Sequence, residues 1–235
     1  MKTVLIGCGQ DCFLIYLNAM MYEIFEAGEG EYTEKKSRFI GCVVSIKSEE
    51  EALRFIEAKK KQYHDARHNC SAYIVADADG QTMSKFSDDG EPSGTAGRPM
   101  LEVLEGAGLV NAVCVVTRYF GGVLLGTGGL VRAYTESAKR AVAAARLVER
   151  RQGLPLSVRT DYNGYGRIEY LLRESNVPII DTRYEADVVI ECIVPVKEAK
   201  RLESRIVEAT SGTAEMVFRE ETGFGVADDG TVIFF

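Results

Sequence analysis

Two α+β domains are predicted for this chain of 235 residues. Three observations predict them. Hydrophobic residues are 46% and charged residues 27%, the balance of a globular chain with apolar material for cores. Strand-like and helix-like periods alternate, and from Leu154 onward they fall in the order βαββαβ, the ferredoxin-like order. A polar stretch, Arg150-Arg151-Gln152-Gly153, precedes that run and reads as a linker. The expected domains are therefore 21–150 and 153–235, with 1–20 outside the fold.

The first residues are the least regular. Thr3 to Gly9 begins like a dinucleotide-binding strand and turn, but Cys12 stands where a third glycine belongs. Gln10 and Asp11 split the apolar stretch, and Lys2 is its one basic residue, which is poor for a signal peptide. Met20-Met21 offers a second start, so 1–20 reads as an extension or a misassigned start.

Ser37 to Ile46 is β-rich and apolar, a strand. Ser48 to Tyr63 is a helix, with Ser48 as its cap, Glu51 at the capping-box position and apolar Ala52, Phe55 and Ile56. Cys70 to Ala76 is a strand ending in the Asp77–Gly80 turn, and Ser84 to Phe86 returns beside it. Asp88 to Pro99 is a loop by composition, and Pro99 to Ala107 a short helix. Asn111 to Phe120 is a buried strand, followed by a glycine loop. Gly129 to Leu147 is a helix with an apolar stripe through Leu130, Tyr134, Ala138 and Ala141. The second domain reads as strand 154–162, helix 165–175, strands 177–184 and 186–195, helix 197–210 and strand 214–220.

Charge is uneven along the chain. The total is −7, yet residues 111–151 carry Arg118, Arg132, Lys139, Arg140, Arg146, Arg150 and Arg151 against Glu136 and Glu149. That segment could present a local positive field, or its last arginines could simply solvate a helix end. The six cysteines are scattered, with no C-x-x-C pair, so a reducing cytoplasm fits better than a disulfide framework. No apolar run approaches the ~18–20 residues of a membrane span, and no membrane partner is expected.

Three clusters carry the candidate chemistry. In the densest, a buried strand runs from Thr117-Arg118 through Gly121-Gly122 to Gly126-Thr127-Gly128-Gly129 and Arg132. Glycines let a ligand approach the backbone, and a helix N-terminus favours an anion. Arg118 and Arg132 bracket the loop and could fork onto a phosphate. Thr127 stands where a P-loop lysine belongs, and the match to a GXXG clamp is four residues long. The competing reading is that the glycines serve tight strand–helix packing. The second cluster is Asp88-Asp89-Gly90-Glu91-Pro92-Ser93-Gly94-Thr95-Ala96-Gly97-Arg98-Pro99. Its carboxylates could hold Mg²⁺, but turn-and-cap chemistry is the better reading. The third holds His64 and His68, without a third metal ligand at convincing spacing. His68 reads instead as a hydrogen-bonded group at the rim of the glycine-loop site, with Glu91 and Thr95. No catalytic motif is identified, and no metal or cofactor is expected.

These clusters, in this order, resemble the IMPACT/YigZ family over about 22–150, and bacterial two-domain members extend the resemblance to the C-terminus. The matching stretches are 65–68 with Ala72, 89–99, 116–122 and 125–134. The resemblance implies a first domain similar to the second domain of a small-subunit ribosomal protein. It implies a ferredoxin-like second domain similar to the last domain of elongation factor G. Eukaryotic relatives regulate translation in the amino-acid-starvation response, with an additional RWD domain that these 235 residues do not include, so that role is not carried over. The resemblance also implies a cytoplasmic, translation-linked protein. Joined to the residue clusters, it suggests binding of RNA or a ribosomal surface through Arg118, Gly126, Thr127, Gly128, Gly129, Arg132 and Arg98. The alternative is an enzyme acting on a phosphorylated small molecule at the same loop, with His68 or Glu91 as acid–base group.

Overall fold

The computed structural model describes residues 21–77 and 81–235. The expected extension 1–20 and most of the Asp77–Gly80 turn lie outside the described residues. The chain folds as two α+β units.

The first unit is built on an antiparallel sheet in the order β2-β3-β6-β4-β5. Its strands are β2 (Gly28–Glu34), β3 (Ser37–Ser45), β4 (His68–Ala76), β5 (Thr82–Ser87) and β6 (Ala112–Tyr119). β6, the most apolar stretch, sits at the centre, buried on both faces. Val113 and Val115 meet Ile56 of α1 (Glu49–Gln62) on one side. Cys114 and Val116 meet Met100 and Leu104 of α2 (Gly97–Gly106) and Leu130 and Tyr134 of α3 (Gly126–Ala144) on the other. The Ser48 hydroxyl accepts from the Glu51 N–H at 3.3 Å, as expected of an N-cap. The Glu51 carboxylate reaches one residue further back than a capping box requires, to the Lys47 N–H at 2.7 Å.

α3 lies directly on the backbone of β2 and β3, because glycine stands wherever a side chain would intervene. A Cβ on Gly28 would fall 2.1 Å from the Ala141 carbonyl oxygen, and one on Gly30 or Gly41 within 2.7 Å of α3 atoms. This close seat explains why α3 faces the sheet with Ser137, Ala138 and Ala141.

The second unit has β8 (Arg151–Thr160), α4 (Tyr162–Glu174), β9 (Ile179–Tyr184), β10 (Val188–Pro195), α5 (Ala199–Thr210) and β11 (Glu215–Phe218). β11 pairs β8, β8 pairs β10 and β10 pairs β9, every pair antiparallel. That is the ferredoxin-like arrangement. Leu156, Val158, Ile190 and Cys192 pack against Ile168, Leu172, Leu202 and Ile206 of the two helices.

The junction differs from the expected linker. β1 (Tyr22–Glu26) pairs β7 (Arg146–Glu149), and β8 begins at Arg151, so Arg150 alone separates β7 from β8. Arg151 to Gly153 are already strand, paired with β12 (Thr222–Val226), which in turn pairs β13 (Val232–Phe234). Arg150 ion-pairs the buried Glu23 and lies 5.6 Å over the Phe235 ring. A Cβ on Gly225 would touch Val148 at 3.0 Å, so β12 lies hard against β7. Among the described residues, no helix is long and apolar enough to cross a membrane.

Candidate functional site

The expected site residues divide into two groups. Arg118, Glu91 and His68 converge, but inside the first unit. Arg118 Nη1 donates to Glu91 Oε1 at 2.6 Å, and the same oxygen accepts from Tyr134 Oη at 2.8 Å. His68 Nε2 stands 4.0 Å from it. His68 Nδ1 lies 2.8 Å from the Asp89 carbonyl, which can only accept, so Nδ1 carries a proton. Side-chain exposure is 7% for Arg118, 3% for Glu91 and 15% for His68. The Arg118 guanidinium lies 5.4 Å from the Phe39 ring and 5.6 Å from Phe120, between two aromatic faces. Its Nε is buried without a partner among the described residues. Beneath it, burial pushes the Cys70 thiol and the Tyr134 hydroxyl up. This is a largely buried polar cluster with only the His68 edge half-open, and Arg118, held by Glu91, cannot fork with Arg132 onto a phosphate. That expectation is corrected: a guanidinium on a central strand at the sheet's end turns inward to the carboxylate that the 88–97 loop brings to it.

The 88–97 loop spends its own polar groups on its shape. Asp88 Oδ1 accepts from Ala96 N–H at 3.0 Å and Gly97 N–H at 2.8 Å, and Oδ2 from Gly94 N–H at 2.8 Å. Asp88 therefore caps α2 from eight residues upstream. Asp89 accepts from Asn69 N–H at 2.7 Å and pairs Lys60 at 3.0 Å. The buried Thr95 donates to the Pro92 carbonyl at 2.7 Å and lines no open rim. Among the described residues no cluster has the makings of a metal site, and the turn-and-cap reading accounts for these carboxylates.

The second group is open. α3 begins at Gly126, three residues before the expected start, so Gly126 to Gly129 form its first turn. Among the described residues no side chain caps this turn, and the turn has no acidic residue. Gly126 needs its glycine, with φ at +69°. A Cβ on Gly128 would meet nothing within 4 Å, and its φ is not in the left-handed region. The packing reading therefore holds for Gly121, where a Cβ would fall 2.0 Å from Lys36, but not for Gly128. Thr127, Gly128 and Arg132 are exposed.

The positive segment is largely neutralised. Arg118, Arg140, Arg146, Arg150 and Arg151 each hold a glutamate. Among the described residues Arg132 and Lys139 carry no such pair. Nor do Arg146, Arg150 and Arg151 solvate a helix end; they belong to β7, the junction and β8.

Both helices run antiparallel to β6. The first N–H groups of α2 bond Asp88, beside the β4 residues opposite Thr117 and Arg118, whereas its C-terminus meets Tyr22. α3 ends against Gly28, level with Cys114. The two N-termini thus share one end of the sheet. This brings Arg98, exposed and among the described residues paired only to Glu102 at 3.2 Å, to the same end as Arg132.

Sequence reasoning missed Tyr134, Asp88 and Ser37 as parts of the inner cluster. Ser37 Oγ accepts from Gly121 N–H at 3.2 Å, tying the glycine loop to β3. A hydroxyl so far along the chain from its partner leaves no local signal.

A family model described as the Impact N-terminal domain matches residues 35–142, and a domain of unknown function, DUF1949, matches 158–213. The IMPACT family member YvyE of Bacillus subtilis is 42% identical over 195 residues, covering 83% of this chain and 89% of that protein. The IMPACT family member YigZ of Escherichia coli is 35% identical over 187 residues, covering 80% and 92%. A crystal structure of a hypothetical protein superposes with a TM-score of 0.54 at 32% identity, covering 86% of this chain and 98% of that one.

Proposed function

The chain belongs to the IMPACT family, and from that premise we propose that it is a translation-linked regulator that grips the phosphate backbone of RNA, on or off the ribosome, with the first turn of α3. The observation that carries this reading is Gly128. It is exposed, its φ is ordinary, and a Cβ there would touch nothing. A glycine in a helix costs about 0.5–1 kcal/mol relative to alanine, and here no packing offsets it. A ligand approaching the amides closely would account for it.

The electrostatics support the same place. Among the described residues the first-turn N–H groups of α3 have no side-chain cap, whereas those of α2 are taken by Asp88. Arg132 lies one turn further along α3 and Arg98 at the start of α2. The domains divide at Arg150 in this reading, and the RNA contacts fall on the first. Glu91, an acid–base candidate of the enzyme reading, is buried against Arg118 and Tyr134, and His68 beside it is only 15% exposed.

The test is single-stranded RNA binding at several salt concentrations. With Arg98 and Arg132 as the two side-chain contacts, log K should fall with log[salt] at about −0.7 per contact, or roughly −1.4. Arg132→Ala should weaken binding and lower that slope by about half. Gly128→Ala should weaken binding while leaving the fold intact. Lys200→Ala, on the acidic second domain, is the control and should change nothing. No binding at low salt, or arginine and glycine variants that match wild type, would overturn the reading.

A further inference from the structure

The parallel pair α2 and α3 leaves a groove of about 490 Å³ on its outer side. Val103, Gly106 and Ala107 of α2 and Val142 and Ala143 of α3 give it an apolar lining. Val103, Ala107 and Val142 are half-buried against the core of the first unit and reach its surface along the seam between the two helices, while Gly106 and Ala143 are exposed.

The rims of the groove differ in charge. Along α3, Arg132, Thr135 and Lys139 succeed one another at helical spacing, and Thr135 and Lys139 line the groove. Arg132 and Lys139 are exposed, and they are the two basic side chains of 111–151 without an ion pair among the described residues. Along α2, Glu102 is held by Arg98 and Glu105 is exposed, so that rim has no excess of positive charge. The groove is therefore an apolar strip with Lys139 on its α3 wall and Glu102 on its α2 wall, and Arg132 continues the basic side beyond the lining.

We propose that this groove docks an amphipathic helix of a partner protein, its apolar stripe on Val103, Ala107 and Val142 and its acidic flank along Arg132 and Lys139. The shape fits: α2 has 10 residues, about 15 Å at 1.5 Å per residue, long enough for close to three turns of a third helix. Such helices are read by anchors at i, i+3 or i+4, and i+7. The unequal rims fix which flank lies where, because unpaired lysine and arginine would repel a basic flank. This surface is separate from the α3 first turn proposed for RNA; only Arg132 belongs to both.

The experiment uses the full chain and helix-stabilised synthetic peptides of about 14 residues. The first carries leucines at i, i+3 and i+7 with glutamates on one flank. The second carries lysines in place of the glutamates, and the third is a scramble of the first. Binding is read by fluorescence anisotropy, and the footprint by amide chemical shifts. The acidic peptide should bind saturably, with shifts centred on 103–107 and 139–143, and the basic one at least about tenfold more weakly. Lys139→Glu should weaken the acidic peptide about fivefold or more and strengthen the basic one. Ala143→Arg, at an exposed position, should block both and leave the circular dichroism spectrum unchanged. Gly128→Ala should leave peptide binding as it is, which separates this surface from the RNA site. The proposal is overturned if the acidic peptide binds no better than its scramble, if neither groove variant matters, or if Gly128→Ala abolishes peptide binding. It is overturned equally if the chain is a dimer that Ala143→Arg dissociates, since a second copy would then be the occupant.

Discussion

Replacing Arg118 by methionine tests whether it is structural. In the wild-type chain its guanidinium donates to Glu91 at 2.6 Å, with both side chains at least nine-tenths buried. Removing one partner of a buried pair typically costs about 3–5 kcal/mol, because the other charge stays buried without compensation. Arg118→Met and Glu91→Gln should each cost about that much. At about 2–4 °C per kcal/mol for a chain of this size, each should melt roughly 6–20 °C lower. The double variant should recover most of the loss. Methionine is apolar, and the glutamine oxygen still accepts from Tyr134, whose hydroxyl lies 2.8 Å away in wild type. The cycle should give a coupling of at least about 2 kcal/mol. Urea unfolding of the four proteins, followed by circular dichroism, measures it. Additive losses, or a loss under about 1 kcal/mol for Arg118→Met, would refute the reasoning and return Arg118 to the surface site.

Gly28→Ala and Gly121→Ala should prevent folding or cost several kcal/mol, since each new Cβ would overlap backbone at 2.1 and 2.0 Å; Gly128→Ala, by contrast, should raise the melting temperature slightly, and thermal melts compare the three. The buried thiols of Cys42, Cys70, Cys114 and Cys192 should resist a thiol reagent at pH 8 in the native protein and react in urea, as read by peptide mass spectrometry. Burial pushes Cys192 from 9.0 to about 12, so the folded state favours the protonated thiol; that stability is fully present below pH 9 and is lost as pH rises towards 12. Cys192→Ala should flatten the alkaline limb of a pH–stability curve, and an unchanged limb would contradict the assignment. Trypsin should cut slowly at Arg150 and Arg151, because one holds Glu23 and the other is in a paired strand; early cleavage there would restore a flexible linker.

Much of the fold was legible from residues alone where a local rule decided it. β6 shows as an unbroken apolar run, α1 announces itself by Ser48, and the βαββαβ order of the second unit needs only period and turns. β2 was not legible, because its seats against α3 are Gly28 and Gly30, and a strand whose core-facing positions are glycine has no apolar alternation to find. β12 and β13 escaped because their partner, the start of β8, was disguised as a polar linker by Arg151 and Gln152. The site divides in the same way. That Arg132 and the glycines open a helix could be read from spacing. Arg118 could not, since its partner Glu91 comes from a loop 27 residues earlier and nothing nearby says which way the guanidinium turns.

The pairing of β1 with β7 also sets a timetable for synthesis. Glu23 and its partner Arg150 lie 127 residues apart. At about 5–20 residues per second, β1 emerges from the ribosome roughly 6–25 s before the strand that completes it. By the end of that interval the first sheet has its inner strands and helices in hand but not its closing ribbon. The start of β8 waits again, for Thr222 and the residues after it. A nascent chain stalled before Thr222 therefore carries a nearly finished second sheet with an open edge at Arg151–Gly153, beside a β7 that β12 has not yet covered. Such an edge invites pairing with another chain, so β12 acts as a late clasp whose arrival ends the period of greatest exposure to aggregation.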